Sequence, residues 1–273
     1  MSARAAGVAV VRQPSSRLAE GEVTHLQRRP LDPARALAQH AAYVELLRRH
    51  GYEPVWAPPI DDHPDGVFVE DALVVIEADG QGAGGLALLT RPGAASRRGE
   101  VESLEAIASS LAASHGLPVH RIAAPATLDG GDVLVTARHV LVGQSTRSNA
   151  AAVTQLQALV APRRQAIGVT VTGALHLKSA VTALPDGSLI AVPQWIDVAV
   201  LTALGYRVHA AQEPSGGDVL CLGEVVVLPA DAPATAAMLR GLGFSVETID
   251  VGELQKIEAG TTCMSVLAPA PKR

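Results

Sequence analysis

The sequence predicts an α/β fold in which five pseudosymmetric ββαβ modules close into a ring around a central funnel. Two observations support it. An apolar strand, a turn, an amphipathic helix and a second apolar strand recur about five times along the 273 residues. No single unit can bury both faces of its own strands, so neighbouring units must close on one another. An ordinary α/β sandwich with irregular spacing is the plainer alternative. The expected organisation is one domain over residues 1–273, with 268–273 as a short flexible tail.

The first unit runs from a strand at residues 8–11 through a loop and a helix at 32–49 to a strand at 53–57. In the helix Leu37, Ala41, Val44 and Leu47 recur at intervals of three and four, and His50-Gly51 supplies the stop. The second unit has a strand at 86–90, a Pro-Gly turn, a helix near 99–114 and a strand at 119–122. The third has 140–143, a helix near 148–160 and 168–172. The fourth has 189–192, a helix near 195–204 that stops at Leu204-Gly205, and 206–210. The fifth has 225–228, a helix near 232–241 and 244–249.

Before the second, third and fifth units stands a strand that opens on an acidic residue. These are Val69-Glu70-Asp71-Ala72-Leu73, Gly130-Gly131-Asp132-Val133-Leu134 and Gly216-Gly217-Asp218-Val219-Leu220. The fourth unit has the weaker Ser179-Ala180-Val181-Thr182-Ala183-Leu184, turning at Pro185-Asp186-Gly187. If the units superpose, Thr90-Arg91-Pro92 and Thr146-Arg147-Ser148 occupy the same strand-to-helix corner. Their arginines then face the axis with Glu70, Asp71, Asp129 and Asp132. Carboxylates on one wall and two arginines on another suit a zwitterionic substrate with a cationic tail.

Composition narrows the function classes. Hydrophobic residues make up 48% and charged residues 18%, which describes a compact globule and not a disordered chain. Aromatics are only 3%, so Ala, Val and Leu must build the core. A net charge of −5 with scattered arginine pairs gives no concentrated basic face for nucleic acid. No stretch approaches the roughly 20 apolar residues that span a bilayer. The N-terminal apolar run is too short for a secretory signal and reads as a first strand. Two cysteines cannot frame a disulfide fold, so a reducing cytoplasm is the expected compartment. There is no Gly-x-Gly-x-x-Gly or Walker loop, and no His-x-x-x-His or Cys-x-x-Cys pair. Neither a cofactor nor a metal is expected.

Three residues could carry nucleophilic chemistry. Cys263, in Thr261-Thr262-Cys263-Met264-Ser265, precedes an apolar final run. Its polar approach favours a thiol at a strand end, although a buried structural cysteine is the alternative. Cys221, inside Val219-Leu220-Cys221-Leu222, reads as plain core. His176, in Leu175-His176-Leu177-Lys178-Ser179, is either a core histidine or a general acid and base. Asp129 precedes two glycines and could either turn the chain or aim a carboxylate.

Taken together, these segments resemble the dimethylarginine dimethylaminohydrolase family of the guanidine-modifying pentein superfamily. The resemblance spans residues 8–267. It rests on Pro64-Asp65-Gly66-Val67-Phe68-Val69-Glu70-Asp71, Thr90-Arg91-Pro92-Gly93-Ala94, Ser96-Arg97-Arg98 and Thr127-Leu128-Asp129-Gly130-Gly131-Asp132. It continues in Arg147-Ser148-Asn149, Leu175-His176-Leu177-Lys178-Ser179 and Thr262-Cys263-Met264-Ser265. The family implies a five-bladed β/α-propeller that acts on a small-molecule methylated arginine as a monomer or homodimer.

The resemblance also implies roles. Cys263 matches the nucleophile, His176 the acid and base, and Asp129 the carboxylate that orients it. Asp65 and Glu70 match the holders of the guanidinium, with Asp71 supporting them. Arg91 and Arg147 match a clamp on the α-carboxylate, and Leu18 a leucine of a mobile covering loop. Ile257 and Glu258 match the segment that recognises the α-amino group. The chain departs from the family at Glu258, where aspartate is usual, in a glycine-rich hairpin at 77–85, and at Gly216-Gly217-Asp218-Val219. The implied reaction releases citrulline and a methylamine through a covalent thiouronium. An arginine or agmatine deiminase, a non-catalytic propeller resembling the ribosome anti-association factor, and a ligand-binding regulator are the competing readings.

Overall fold

Residues 6–78 and 84–270 are described by the computed structural model of the chain. The first module contains β1 (Gly7–Val11), α1 (Pro33–Arg49) and β2 (Tyr52–Trp56). The second contains β3 (Leu73–Ile76), β4 (Leu86–Leu89), α2 (Arg98–Glu102), α3 (Glu105–His115) and β5 (Val119–Arg121). The third has β6 (Val133–Val135), β7 (His139–Gln144), α4 (Ala150–Val160) and β8 (Gln165–Thr170). The fourth opens on a one-turn helix α5 (Leu177–Ala180), followed by β9 (Val181–Ala183), β10 (Leu189–Ala191), α6 (Val198–Ala203) and β11 (Val208–Ala210). The fifth has β12 (Leu220–Leu222), β13 (Val225–Pro229), α7 (Pro233–Gly241), β14 (Ser245–Ile249) and a short α8 (Gly252–Gln255). The chain then returns as β15 (Val266–Pro269).

Five three-stranded sheets result, each with its middle strand antiparallel to one neighbour and parallel to the other. The first module takes its antiparallel strand from the other end of the chain. β15 lies along β1 with Val10 opposite Val266 and Gly7 opposite Pro269. This pairing brings the segment before β15 back beside the earlier modules.

Five apolar clusters seal the ring, one between each consecutive pair of modules. Val10 meets Val69, Leu73 and Leu104 between the first and second. Leu88 and Val140 share a cluster between the second and third, and Leu141 and Leu189 between the third and fourth. Ile190 and Val226 join the fourth to the fifth, and Val227 joins the fifth to Ala9, Tyr43 and Leu46 of the first. Successive residues of a strand face opposite ways. Middle strands therefore feed both flanking seams, Ile190 into one and Leu189 and Ala191 into the other. This is why they read as unbroken apolar runs.

Local signals explain the element ends and several departures from the sequence reading. Asp32, Asn149 and Asp197 cap α1, α4 and α6 with their side chains, so those helices start one to three residues later than the periodicity alone places them. The buried stripe of α1 is Ala36, His40, Tyr43 and Leu47, whereas Leu37 and Ala41 are exposed. The second module's helix is broken at Ser103 and Leu104, where Ser103 Oγ accepts from Arg12 and donates to the Glu100 carbonyl. Glu70 and Asp71, and likewise Asp132, sit in 3-10 turns that precede β3 and β6 instead of opening those strands. Ala268 and Pro269, placed in a tail by the sequence reading, belong to β15. Of the glycine-rich hairpin, residues 79–83 lie outside the described residues.

Candidate active site

The turn that enters each module's antiparallel strand carries a polar residue toward one place. Glu70 and Asp71 precede β3, Asp129 precedes β6, His176 precedes α5 and β9, Asp218 precedes β12, and Cys263 precedes β15. Pseudosymmetry thus converts five distant segments into one cluster. Of these residues Asp71, His176 and Cys263 line a hollow of about 20 Å³, together with Asp65, Arg97, Arg147 and Glu258. That is room for roughly one water molecule.

Cys263 is 7% exposed, and its Sγ accepts from the Gly260 amide at 3.5 Å. The loop that presents it is fastened from two sides. Asp218 Oδ1 accepts from the amides of Thr261 and Thr262 at 2.9 and 3.0 Å and from the Thr261 hydroxyl. Tyr43, reaching in from α1, donates to the Thr261 carbonyl at 2.9 Å and bonds the Ser265 hydroxyl at 2.7 Å. Gly260 is required because a Cβ there would stand 2.0 Å from the Asp218 carboxylate. Burial pushes the thiol pKa well above its ordinary value, and the Asp218, Glu70 and Asp71 carboxylates push it further against the Gly260 amide. In this state Cys263 is a thiol.

His176 is buried, with Nε2 3.0 Å from Asp129 Oδ2 and Nδ1 3.8 Å from Asp71 Oδ1. Burial alone would lower its pKa. Asp71, the Asp129 hydrogen bond and Asp132 overcome that and raise it to about 9, so the ring is an imidazolium at neutral pH. Asp129 also accepts from the Gly93 amide at 2.8 Å and Asp71 from the Gly131 amide at 2.9 Å. Both carboxylates are fixed before any ligand arrives. Asp132, raised to about 6 by burial, accepts from Ser145, Ser148 and the Leu177 amide and so anchors the histidine turn.

The remaining charges form an acidic wall with incomplete compensation. Arg97 pairs with Asp71 at 2.5 Å and Glu100 at 2.7 Å, and Lys178 pairs with Glu70. The other carboxylate oxygen of Glu70, Oε2, is buried without a hydrogen-bond partner among the described residues. Burial raises the pKa of both Asp65 and Glu70, although Arg97 and Lys178 respectively oppose it. A planar cation with several N–H donors would relieve both.

The long connection from β1 to α1 lies across this wall. Asp65 accepts from the Glu22 amide at 3.0 Å, and Glu258 accepts from the amides of Thr24, His25 and Leu26. Arg147 Nη2 reaches Glu22 Oε2 at 2.8 Å and the Thr24 hydroxyl at 3.1 Å. Glu258 has φ 66°, and no other described residue apart from glycine has a positive φ.

No protein-family model matches the chain. A dimethylarginine dimethylaminohydrolase of Streptomyces coelicolor is 45% identical over 260 residues, covering 94% of this chain and 95% of that protein. The chain belongs to the dimethylarginine dimethylaminohydrolase family. A Pseudomonas aeruginosa dimethylarginine dimethylaminohydrolase is 30% identical, over 94% of this chain and 97% of its own. A solved structure from the same organism, a cysteine-to-serine variant complexed with citrulline, is 30% identical and matches with a TM-score of 0.86. The match covers 97% of this chain and all of that one. The similarity to these dimethylarginine dimethylaminohydrolases therefore extends around the whole ring.

Within this dimethylarginine dimethylaminohydrolase fold the residues anticipated from sequence separate into three groups. Cys263, His176, Asp65, Asp71, Arg147, Ile257 and Glu258 line the hollow. Asp129 and Glu70 stand directly behind it, on His176 and on the Cys263 backbone, whose carbonyl accepts from the Glu70 amide. Arg91 and Leu18 stand outside it. Arg91 turns its guanidinium to the Ala126 carbonyl at 3.1 Å, and Leu18 is buried in the cluster between the first and fifth modules. Cys221 packs against the cluster between the fourth and fifth modules and donates to the Ala183 carbonyl at 3.2 Å, its pKa pushed up to about 12 by burial.

Sequence reading missed the supporting roles of Arg97, Lys178, Asp218, Tyr43 and Glu22. The parallel between Gly130-Gly131-Asp132 and Gly216-Gly217-Asp218 was the available signal for Asp218. Asp71, Asp129 and His176 offer ligand atoms within 4.8 Å of one another, a grouping that could accept a metal ion by proximity. Arg97 and the amides of Gly131 and Gly93 already bind those carboxylates, so a cation there would have to break built contacts.

Proposed function

We propose that the chain hydrolyses asymmetric dimethylarginine and monomethylarginine to L-citrulline and dimethylamine or methylamine, with Cys263 as the nucleophile. The observation that carries the reading is a buried thiol and a charged histidine on one hollow whose acidic wall has a buried carboxylate oxygen left unbonded. The guanidinium binds Asp65 and Glu70, which fix its plane, with Asp71 behind them. Its positive charge compensates the acidic wall and favours release of the Cys263 proton to solvent, since His176 is already protonated, so the thiolate forms where it is needed.

Thiolate attack on the guanidinium carbon gives a tetrahedral adduct. His176 gives its proton to the departing amine, and the C–N bond breaks to leave a thiouronium on Cys263. Water then attacks the same carbon while His176 takes a proton, and the C–S bond breaks to release citrulline and regenerate the thiol. Asp129 keeps the imidazole oriented and charged. Arg147 is the first contact for the substrate α-carboxylate, and Arg91 joins it by exchanging its bond to Ala126. Glu258 and the Ile257 backbone face the α-amino group, and Leu18 moves with the covering connection.

Product analysis separates this reading from its rivals. Asymmetric dimethylarginine should give equal amounts of citrulline and dimethylamine, with agmatine left untouched. Ammonia from agmatine or from plain arginine at a comparable rate would instead mark a deiminase. Replacing Arg147 by Ala should raise KM about ten-fold or more, the scale of a lost charge-assisted pair. An unchanged KM would remove Arg147 from carboxylate binding.

A further inference from the structure

The narrow hollow already contains a carboxylate where a substrate carboxylate would go. Glu22 Oε2 sits 2.8 Å from Arg147 Nη2, and its other oxygen accepts from the Ser96 hydroxyl. The amide of the same residue donates to both oxygens of Asp65, at 3.2 and 3.0 Å. One residue therefore offers an anion to the group assigned to the α-carboxylate and a donor to a group assigned to the guanidinium. It imitates both ends of the substrate.

The imitation is incomplete in an informative way. Arg147 is buried, yet its Nη1 has no hydrogen-bond partner among the described residues, so Glu22 engages only one arm of the guanidinium. A free carboxylate can take both arms in the bidentate geometry that makes such pairs strong. Glu22 is also 37% exposed at its side chain, which weakens its ion pair relative to a fully desolvated one. With space for about one water, the hollow admits no arginine derivative until this connection moves.

We infer that Glu22 is a specificity-determining surrogate for the substrate carboxylate, holding the site closed until a ligand with its own carboxylate displaces it. A guanidine without a carboxylate can satisfy Asp65 but leaves Glu22 on Arg147, so the connection stays shut against it. An amino acid displaces both contacts at once. This selects amino acids over amines by competition, in addition to direct contact. The inference rests on the assignment of Arg147 to the α-carboxylate.

The test compares steady-state kinetics of the wild type, Glu22→Gln and Arg147→Ala on asymmetric dimethylarginine and on its decarboxylated amine analogue. Glu22→Gln is nearly isosteric at a half-exposed position and leaves the fold in place. It is expected to lower KM for the amino acid about three- to five-fold, the scale of a partly exposed ion pair, with kcat unchanged or higher. It should also narrow the preference for the amino acid over the amine. An unchanged or raised KM in Glu22→Gln, with Arg147→Ala still raising KM, would overturn the surrogate role alone. An unchanged KM in Arg147→Ala would overturn the carboxylate assignment and the surrogate role with it.

Discussion

At the scale of single residues, burial sets opposite protonation problems for Cys263 and His176. Cys263 loses the solvation its thiolate would need and faces three carboxylates, so its proton stays on. His176 suffers the same burial, but Asp71, Asp129 and Asp132 surround it and favour the charged ring. The sign for stability follows. A histidine raised from about 6.5 when unfolded to about 9 when folded contributes fully below pH 6.5, and the contribution disappears as pH rises through 9. Urea unfolding should therefore show the wild type losing roughly 3 kcal/mol between pH 6.5 and 9. His176→Asn should lack that decline. A wild-type stability that is flat or rising across the window would contradict the charged histidine.

At the scale of elements, the loops around the hollow are organised by side chains that no motif advertises. The turn before β15 is held by Asp218 from another module, and a carboxylate so close to the thiol also opposes its ionisation. Asp218→Asn keeps an acceptor for the Thr261 and Thr262 amides while removing that charge. The pH midpoint for alkylation of Cys263 by iodoacetamide should consequently move down by about one unit or more. A midpoint that stays put or rises would place the Asp218 charge outside the thiol's electrostatics. Helix ends show the same division between what sequence exposes and what it hides. Asp32, Asn149 and Asp197 are recognisable caps, residue types that favour the position before a helix, and they set its start more sharply than apolar spacing does. By contrast, the choice of Tyr43 over Leu37 for the buried face of α1 depends on Thr261 and Ser265, more than 200 positions away.

At the scale of the whole molecule, the ring makes the site legible. Repetition predicted five modules, and five seams close them because each middle strand must bury both faces. The order of modules places Glu70, Asp129, His176, Asp218 and Cys263 at equivalent turns, so a weak repeat in sequence is a strong constraint in space. Arg91 and Leu18 are where this logic stops short. Equivalent backbone corners do not dictate where a long side chain points, and Arg91 has a nearby carbonyl to satisfy. Glu22 was invisible because its meaning depends on a loop lying across Arg147. The central claim is that Cys263 forms a covalent bond to the guanidino carbon, and His176→Gly treated with S-methyl-L-thiocitrulline tests it most directly. Methanethiol leaves without needing the histidine's proton, whereas hydrolysis of the adduct needs His176 as base. Mass spectrometry should find the ligand minus methanethiol on the peptide that carries Cys263, and no adduct when Cys263→Ser is added. An unmodified Cys263, in a protein whose wild type turns the same compound over, would contradict the account.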